Sequence, residues 1–414
     1  MDYIISGGRR LAGEISVYGA KNCVLPLLGA SVLTDGELIL HNCPKISDVE
    51  NMLSMLRAMG KNAYWRDNSI VISGTLTSTR APESLAKLLR GSALILGGTL
   101  SRYGEIDLPL PGGCAIGKRP MDIHLAGLEK MGVEIDAENN LLICRGKPSA
   151  TEYELRFPSV GATENLLCAA VLSEGETVLY NCATEPEVGA LERLLIAMGG
   201  RIEGVDTPNL TINGVSSLHG AEFTVIPDRI VAATYISAAI ASSGNITVTD
   251  CNPNHLRPFL NLMYPHMLVK EYSDAVTVTC DKRPQGYGRV FTAPYPFFPT
   301  DMQSLILALG ACADGGKTTI RENLFESRLS HIADELIRMN ADITVDGNVA
   351  DIRGRGLFGA EVFAYDLRGG AALTVAGLSA EGITVVHNVE NVCRGYLDLA
   401  GALSSLGGKI DFVP

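Results

Sequence analysis

The sequence predicts an α/β protein of two domains, each built from three copies of one unit about seventy residues long. Three observations carry that prediction. Apolar, small-residue runs end at Gly36, Gly104, Gly175, Gly244, Gly315 and Gly382, 67 to 71 residues apart. A second, amphipathic helical pattern repeats with the same period, and a pair of short strand patterns follows it.

In the first run, "NCVLPLLGASVLTDG", apolar residues face every direction, which marks a helix buried on all sides. Its counterparts are "GSALILGGTLSRYG", "GATENLLCAAVLSEG", "IVAATYISAAIASSG", "DMQSLILALGACADG" and "GGAALTVAGLSAEG". Their Ala, Gly and Ser residues permit close approach of neighbouring backbones. The amphipathic helix is clearest in "DVENMLSMLRAMG", where Val49, Met52, Leu53, Leu56 and Met59 form one stripe. Its echoes end at Gly132, Gly199, Asn340 and Gly407; the fourth copy, near Met267, is degenerate. Strand pairs with intervening turn residues follow, as in "VEIDAENNLLICRG" and "ADITVDGNVADIRGR". Three units per domain places the break near "TVIPDRI", residues 224–230.

Composition narrows the function classes. A net charge of −12 without any Lys/Arg run argues against nucleic acid as a partner. The longest apolar stretches, near 22–33, 91–100 and 229–241, fall short of a membrane span, so no membrane insertion is expected. The start "MDYIISGGRRLAG" lacks the features of a secretion signal, and the ten cysteines form no CxxC pair. Both point to a reduced, cytoplasmic protein without a metal site. Nine cysteines read as core fillers. Cys114 is the exception: in "LPGGCAIGKRP", residues 110–120, it lies among glycines beside Lys118 and Arg119, where a thiol is acidic and accessible.

Charge is placed with the same period. Fourteen or fifteen residues before each terminal glycine stand Lys21, Arg90, Gly161, Arg229, Asp301 and Arg368. Four of these six helix starts carry a cation, against the helix dipole, where Asp or Ser would stabilise. A cation at a helix N-terminus makes an anion site. Arg119, Arg328 and Arg394 stand at the starts of amphipathic helices, so the set is expected to converge on one cleft between the domains. Asp301, in "FPTDMQ", reads either as a general base among cations, ionised by them, or as the N-cap of its helix. Several cations, one carboxylate and an acidic thiol suit a phosphorylated carboxylic acid reacting with a hydroxyl. The residues by themselves do not identify the acceptor.

Across nearly its whole length the chain resembles the enolpyruvyl transferases, and within them the branch acting on a nucleotide sugar. The resemblance runs through "GEISVYGAKNCVLPLLGASVL", "LPGGCAIGKRPMDIHLAGLEKMG", "PSVGATEN", "PDRI", "TAPYPFFPTDMQ", "ESRLSHIADELIRMNADI", "YDLRGGAALTVAGLSAEG" and "CRGYLDL". It implies two inside-out α/β barrels of three βαβαββ-type units each. The first would span 20–227 with the catalytic loop 109–121; the second, discontinuous, would join 1–19 to 228–414. The implied reaction moves enolpyruvyl from phosphoenolpyruvate to the 3′-hydroxyl of UDP-N-acetylglucosamine, opening peptidoglycan synthesis, with no metal or organic cofactor. By this resemblance Cys114 is the acid and the site of fosfomycin attack, and Asp301 the base. Lys21, the third catalytic residue, and Asn22 contact both substrates. Arg119 and Arg394 bind phosphate, and Arg328 and Arg368 the carboxylate. Arg90, Arg119, Pro120, Met121, Asp122, Ile123, Phe157, Pro158, Ser159, Val160 and Leu324 contact the nucleotide sugar. The shikimate-pathway sister reaction is disfavoured by the "PGGCAIG" loop. A non-catalytic nucleotide-sugar-binding paralogue is disfavoured because binding alone needs no acid and base.

The chain departs from the family pattern around these residues. Ser327 and Leu329 replace Asn and Phe, and Cys393 and Leu397 replace two acids flanking Arg394. Val231 stands where an acid is usual, and Phe157 where Lys is frequent. Gly369 and Gly370 follow Arg368 in place of Ala and Ser, which should loosen that helix start.

Overall fold

The computed structural model describes residues 1–109, 121–325 and 328–414, except for the side chain of Arg90. Among them one compact unit gathers 1–18 with 227–414, and the other takes 19–109 with 121–226. In each, the apolar helices form the interior and small sheets wrap them, the inside-out arrangement. Helices Lys21–Ala30, Leu96–Tyr103 and Val160–Ala170 fill one interior; Arg229–Ala241, Gln303–Cys312 and Leu367–Ser379 fill the other. All thirteen residues of Arg229–Ala241 are buried. Each fully buried Leu or Ile contributes about 1.5–3 kcal/mol, so these runs drive collapse of each unit.

Small residues set the helix spacing. A Cβ on Gly97 would lie 1.9 Å from the Asn165 carbonyl oxygen, so only glycine lets these two helices meet there. The repeated terminal glycines do two different jobs. Gly104, Gly175, Gly315 and Gly382 have φ of 75°, 103°, 96° and 94°, whereas Gly36 and Gly244 pass too close to other backbone for a side chain. Arginines satisfy carbonyls at the ends of the helices: Arg102 Nη1 donates to Val32 O (3.1 Å), and Arg283 Nη2 to Ser379 O (2.9 Å).

The sheets explain how one chain makes six similar units. In three of them the strand before the buried helix pairs in parallel with the strand after it. These pairs are Glu152–Glu154 with Glu176–Tyr180, Gly288–Phe291 with Lys317–Arg321, and Glu361–Phe363 with Ile383–His387. A single parallel bridge, Arg80 to Asp107, is what a fourth unit forms. The other two units exchange this strand. Ala12–Ser16 precedes helix Lys21–Ala30 but pairs with Asn245–Thr249; Ala221–Thr224 precedes helix Arg229–Ala241 but pairs with Leu38–His41. The first strand, Asp2–Ser6, lies antiparallel between Ile383–His387 and Lys409–Val413 and so completes the last unit.

The amphipathic helices lie at Ser47–Ala58, Asp122–Lys130, Pro186–Ala197, Arg257–Met263, Arg328–Arg338 and Leu399–Ser405. Among the described cysteines eight are buried, but Cys393 is half-exposed and is not the core filler expected. It follows Val392 on a short 3₁₀ turn, Val389–Arg394, whose apolar residues alone face inward.

Candidate active site

Lys21, Arg90, Arg229, Arg328 and Arg368 stand at or next to helix or 3₁₀ starts, and at Arg229 and Arg368 the structure supplies a compensation that local sequence preference does not reveal. Arg229 and Arg368 are the first and second residues of their helices, and an aspartate caps each from just outside. Asp228 Oδ1 accepts from Ile230 N (2.8 Å) and Val231 N (3.0 Å). Asp366 Oδ1 accepts from Arg368 N (2.8 Å) and Gly369 N (3.0 Å). Each cap contributes about 1 kcal/mol, so the arginines are not placed against an uncapped dipole. Nor is the Arg368 helix start loosened by its glycines. A Cβ on Gly370 would lie 2.6 Å from Val392 Cγ2 and 2.8 Å from Ala364 Cβ. The missing side chain is what lets this turn pack.

In this unit Asp301, Arg328 and Arg368 come together. Arg328 Nη2 lies 3.2 Å from Asp301 Oδ1, and Arg368 Nε lies 3.5 Å from the same oxygen. Both arginine side chains are almost wholly buried while Asp301 is 29% exposed, so the carboxylate is the accessible end of the group. Burial works against the Arg368 charge, but Asp301, with Tyr396 and Asp228, more than offsets it and raises its pKa. Asp301 does not hold the N-cap position of either element: Pro299 precedes the 3₁₀ turn Thr300–Met302, and Met302 precedes helix Gln303–Cys312. Contrary to the expectation from its spacing, Arg394 does not start its amphipathic helix: that helix begins at Leu399, and Arg394 ends the 3₁₀ turn before it, half-buried. Leu324, also half-buried, donates its N–H to Glu322 Oε1 (2.8 Å).

In the other unit Lys21 begins its helix, with Asn22 next, and Lys21 Nζ pairs with the buried Asp48 at 2.5 Å. Arg90 begins the 3₁₀ turn Arg90–Ile95. Met121 caps helix Asp122–Lys130, and Asp122 pairs with Arg156, one residue before Phe157. Phe157 is exposed, Pro158 half-buried, and Ser159 caps the helix that Val160 begins. These two segments are tied together just behind Ile123 and Val160. Asn165 Nδ2 donates to His124 Nδ1 (3.0 Å) and to Gly161 O (3.1 Å), and Asn165 Oδ1 accepts from Gly97 N (2.9 Å). Gly161 leaves room for the His124 ring, whose Cε1 would lie 3.0 Å from a Cβ there. Cys114, Arg119 and Pro120 lie outside the described residues. A cavity of about 840 Å³ in this unit lies at the opposite helix ends, between Leu33, Ser101 and Leu172, and holds none of the predicted residues.

Burial pushes the His124 pKa from 6.5 down to about 4, so the folded protein holds the ring neutral. The unfolded chain takes the proton first. The stabilisation is therefore complete above pH 6.5 and is lost as pH falls toward 4. His124→Gln should flatten the dependence of unfolding free energy on pH between 6.5 and 4. Urea titrations across that range check it.

Asp48, Glu322, His124 and Asn165 were missed from the sequence. Asn165 inside an apolar helix and Glu322 after a strand end carried the one local sign that a partner is required, a polar residue in apolar surroundings. Asp48 and His124 lie on amphipathic helices, where a polar residue is ordinary.

Comparisons with known proteins now decide the family. The profile of EPSP synthase (3-phosphoshikimate 1-carboxyvinyltransferase) matches residues 5–403. The chain belongs to this family. Within the EPSP synthase family it is 43% identical over 410 residues to UDP-N-acetylglucosamine 1-carboxyvinyltransferase 2 of Caldanaerobacter subterraneus subsp. tengcongensis, covering 98% of each chain. It is 42% identical over 414 residues to UDP-N-acetylglucosamine 1-carboxyvinyltransferase of Cellvibrio japonicus, covering 99% of this chain and 98% of that one. Two solved structures share the fold. The enolpyruvyl transferase NikO of Streptomyces tendae superposes with a TM-score of 0.89 at 24% identity, over 99% of this chain and 98% of that one. EPSP synthase of Acinetobacter baumannii superposes with a TM-score of 0.75 at 19% identity, over 99% of both.

Proposed function

We propose that the protein transfers the enolpyruvyl group of phosphoenolpyruvate to the 3′-hydroxyl of UDP-N-acetylglucosamine, releasing phosphate. The observation that carries this reading is the accessible Asp301 carboxylate held between two buried guanidiniums, one of which has a donor without a partner among the described residues. A carboxylate beside such cations suits a base that takes a hydroxyl proton next to an anionic substrate. The names and 42–43% identity of the two relatives support the choice of acceptor.

In this scheme Cys114 gives a proton to the methylene carbon of phosphoenolpyruvate, and positive charge develops at the adjoining carbon. The sugar hydroxyl attacks that carbon while Asp301 takes its proton, giving a tetrahedral ketal. Loss of a proton from the new methyl group and departure of phosphate restore the double bond. Arg328 and Arg368 bind the carboxylate, and Arg119 and Arg394 the phosphate. Lys21, steadied by Asp48, serves both substrates with Asn22. Arg90, the run Arg119 to Ile123, the run Phe157 to Val160, and Leu324 hold the nucleotide sugar. The scheme calls for no metal or organic cofactor, and it places the protein in the cytoplasm at the entry to peptidoglycan synthesis.

Phosphate release is the test. Release at one equivalent per acceptor consumed, only when both substrates are present, is expected. Fosfomycin, an epoxide mimic of phosphoenolpyruvate, should alkylate Cys114 alone among the ten cysteines. Phosphate release with shikimate 3-phosphate but not with the nucleotide sugar would overturn the reading.

A further inference from the structure

Arg328 is held by a directed chain of hydrogen bonds. Its Nη1 donates to Thr300 Oγ1 (2.8 Å), and Thr300 Oγ1 donates to Glu322 Oε2 (2.9 Å). Glu322 is fully buried, and its other oxygen accepts from Leu324 N (2.8 Å) and Phe325 N (3.1 Å). The Glu322 carboxylate has only acceptors, so the Thr300 hydroxyl must donate toward it. That turns a lone pair of the same oxygen toward Arg328, and the order of the chain has one solution. Glu322 is itself fixed, because the residue after it is anchored twice to Thr292: Asn323 N donates to Thr292 Oγ1 and Asn323 Nδ2 to Thr292 O, both 2.9 Å.

The guanidinium is pinned at both ends, by Thr300 at Nη1 and by Asp301 at Nη2. Its plane also lies near the Phe325 ring, 5.4 Å from the centroid. Yet its Nε, on a side chain only 2% exposed, has no hydrogen-bond partner among the described residues. A buried charged donor left unmade is costly, and proteins seldom retain one without a use. Thr300 takes Nη1 and Asp301 takes Nη2, which leaves Nε–H for something that comes from outside the protein. A carboxylate suits it, since a charged acceptor makes the strongest bond with a guanidinium N–H.

We propose that Thr300, oriented by the buried Glu322, is a positioning residue that presents the Nε–H of Arg328 to the carboxylate of the substrate. The inference rests on the reading above for the identity of that substrate, phosphoenolpyruvate. Thr300 touches no reacting atom; it acts through Arg328. Because Asp301 is its neighbour and shares Arg328, the same hydroxyl also keeps base and carboxylate site in register.

The test compares wild type, Thr300→Val and Thr300→Ser. Val keeps the branched shape and removes the hydroxyl; Ser restores the hydroxyl. Thr300→Val should raise the KM for phosphoenolpyruvate about ten- to hundredfold, the range of one hydrogen bond to a charged group. The KM for UDP-N-acetylglucosamine and the unfolding midpoint should stay near wild type, and Thr300→Ser should recover most of the loss. Wild-type kinetics in Thr300→Val, equal losses for both substrates, or failure of Thr300→Ser to recover would overturn the proposal. A second arm stands apart from activity. In protein labelled with ¹⁵N-arginine, with Arg328 assigned by Arg328→Lys, the Nη signals of Arg328 should be those of a group held against rotation in wild type and Thr300→Ser, and averaged in Thr300→Val. Identical Arg328 signals in all three refute the positioning role even if the enzyme proves active. An inactive wild type with the expected signals refutes only the substrate.

Discussion

Asp301→Asn is expected to lower turnover by about 10²–10⁴-fold, the contribution of a positioned general base. Asn has the same shape and keeps an oxygen facing Arg328 and Arg368, but it cannot take the sugar proton. The substitution also removes the charge that the two guanidiniums share, at 3.2 and 3.5 Å. Both arginine side chains are below a tenth exposed, so the uncompensated cations should cost stability as well, about 1–3 kcal/mol. The two effects separate in experiment. Single-turnover phosphate release reads the chemical step, and urea unfolding reads the ion pairs. Turnover near wild type, with only stability lost, would make Asp301 a structural partner of the arginines and remove the base from the scheme.

Gly97→Ala is expected to be among the most damaging single-methyl changes in the protein. The added carbon would fall 1.9 Å from Asn165 O, 2.8 Å from Asn165 C and 3.2 Å from Ala169 N. All three are backbone atoms of a buried helix, so no side chain can rotate away. The helices must separate, at about 3 kcal/mol or more. Separation would also break the bond from Gly97 N to Asn165 Oδ1 (2.9 Å), and with it the register of the amide that holds His124. A fall in the urea midpoint should therefore be accompanied by weaker binding of UDP-N-acetylglucosamine. An unchanged midpoint would mean that this contact is looser than described.

The candidate site was half legible in the sequence. Lys21, Arg229 and Arg368 were visible because a repeat compares each helix start with five others and a charge against the dipole stands out, and Asp301 because it is the one acid among them. Their partners were not. Asp48 sits one residue into an amphipathic helix, where an acid is ordinary. Glu322 and Thr300 are separated by an entire helix and strand from each other. The caps Asp228 and Asp366 were in plain view, yet whether an aspartate caps or pairs depends on backbone angles that its neighbours in sequence do not set. Gly370 misled for the same kind of reason. Local preference treats glycine as freedom, whereas at this turn it is close packing against Val392 and Ala364.

What the sequence determined alone was the repeat: six buried helices, their amphipathic partners, the strand pairs and the charges at the helix starts. Those follow from spacing within a dozen residues, where hydrophobic period and helix dipole act directly on neighbouring positions. The tertiary structure alone decided which strand joins which sheet. Ala12–Ser16 and Ala221–Thr224 look interchangeable as sequence, and each pairs beyond the helix that follows the other. Asp2–Ser6 likewise finds its place between strands nearly four hundred residues away. Backbone hydrogen bonds are the same for every residue, so a strand carries little record of its partner. The choice falls to the whole packed interior, whose apolar helices each sheet must cover with its inner face.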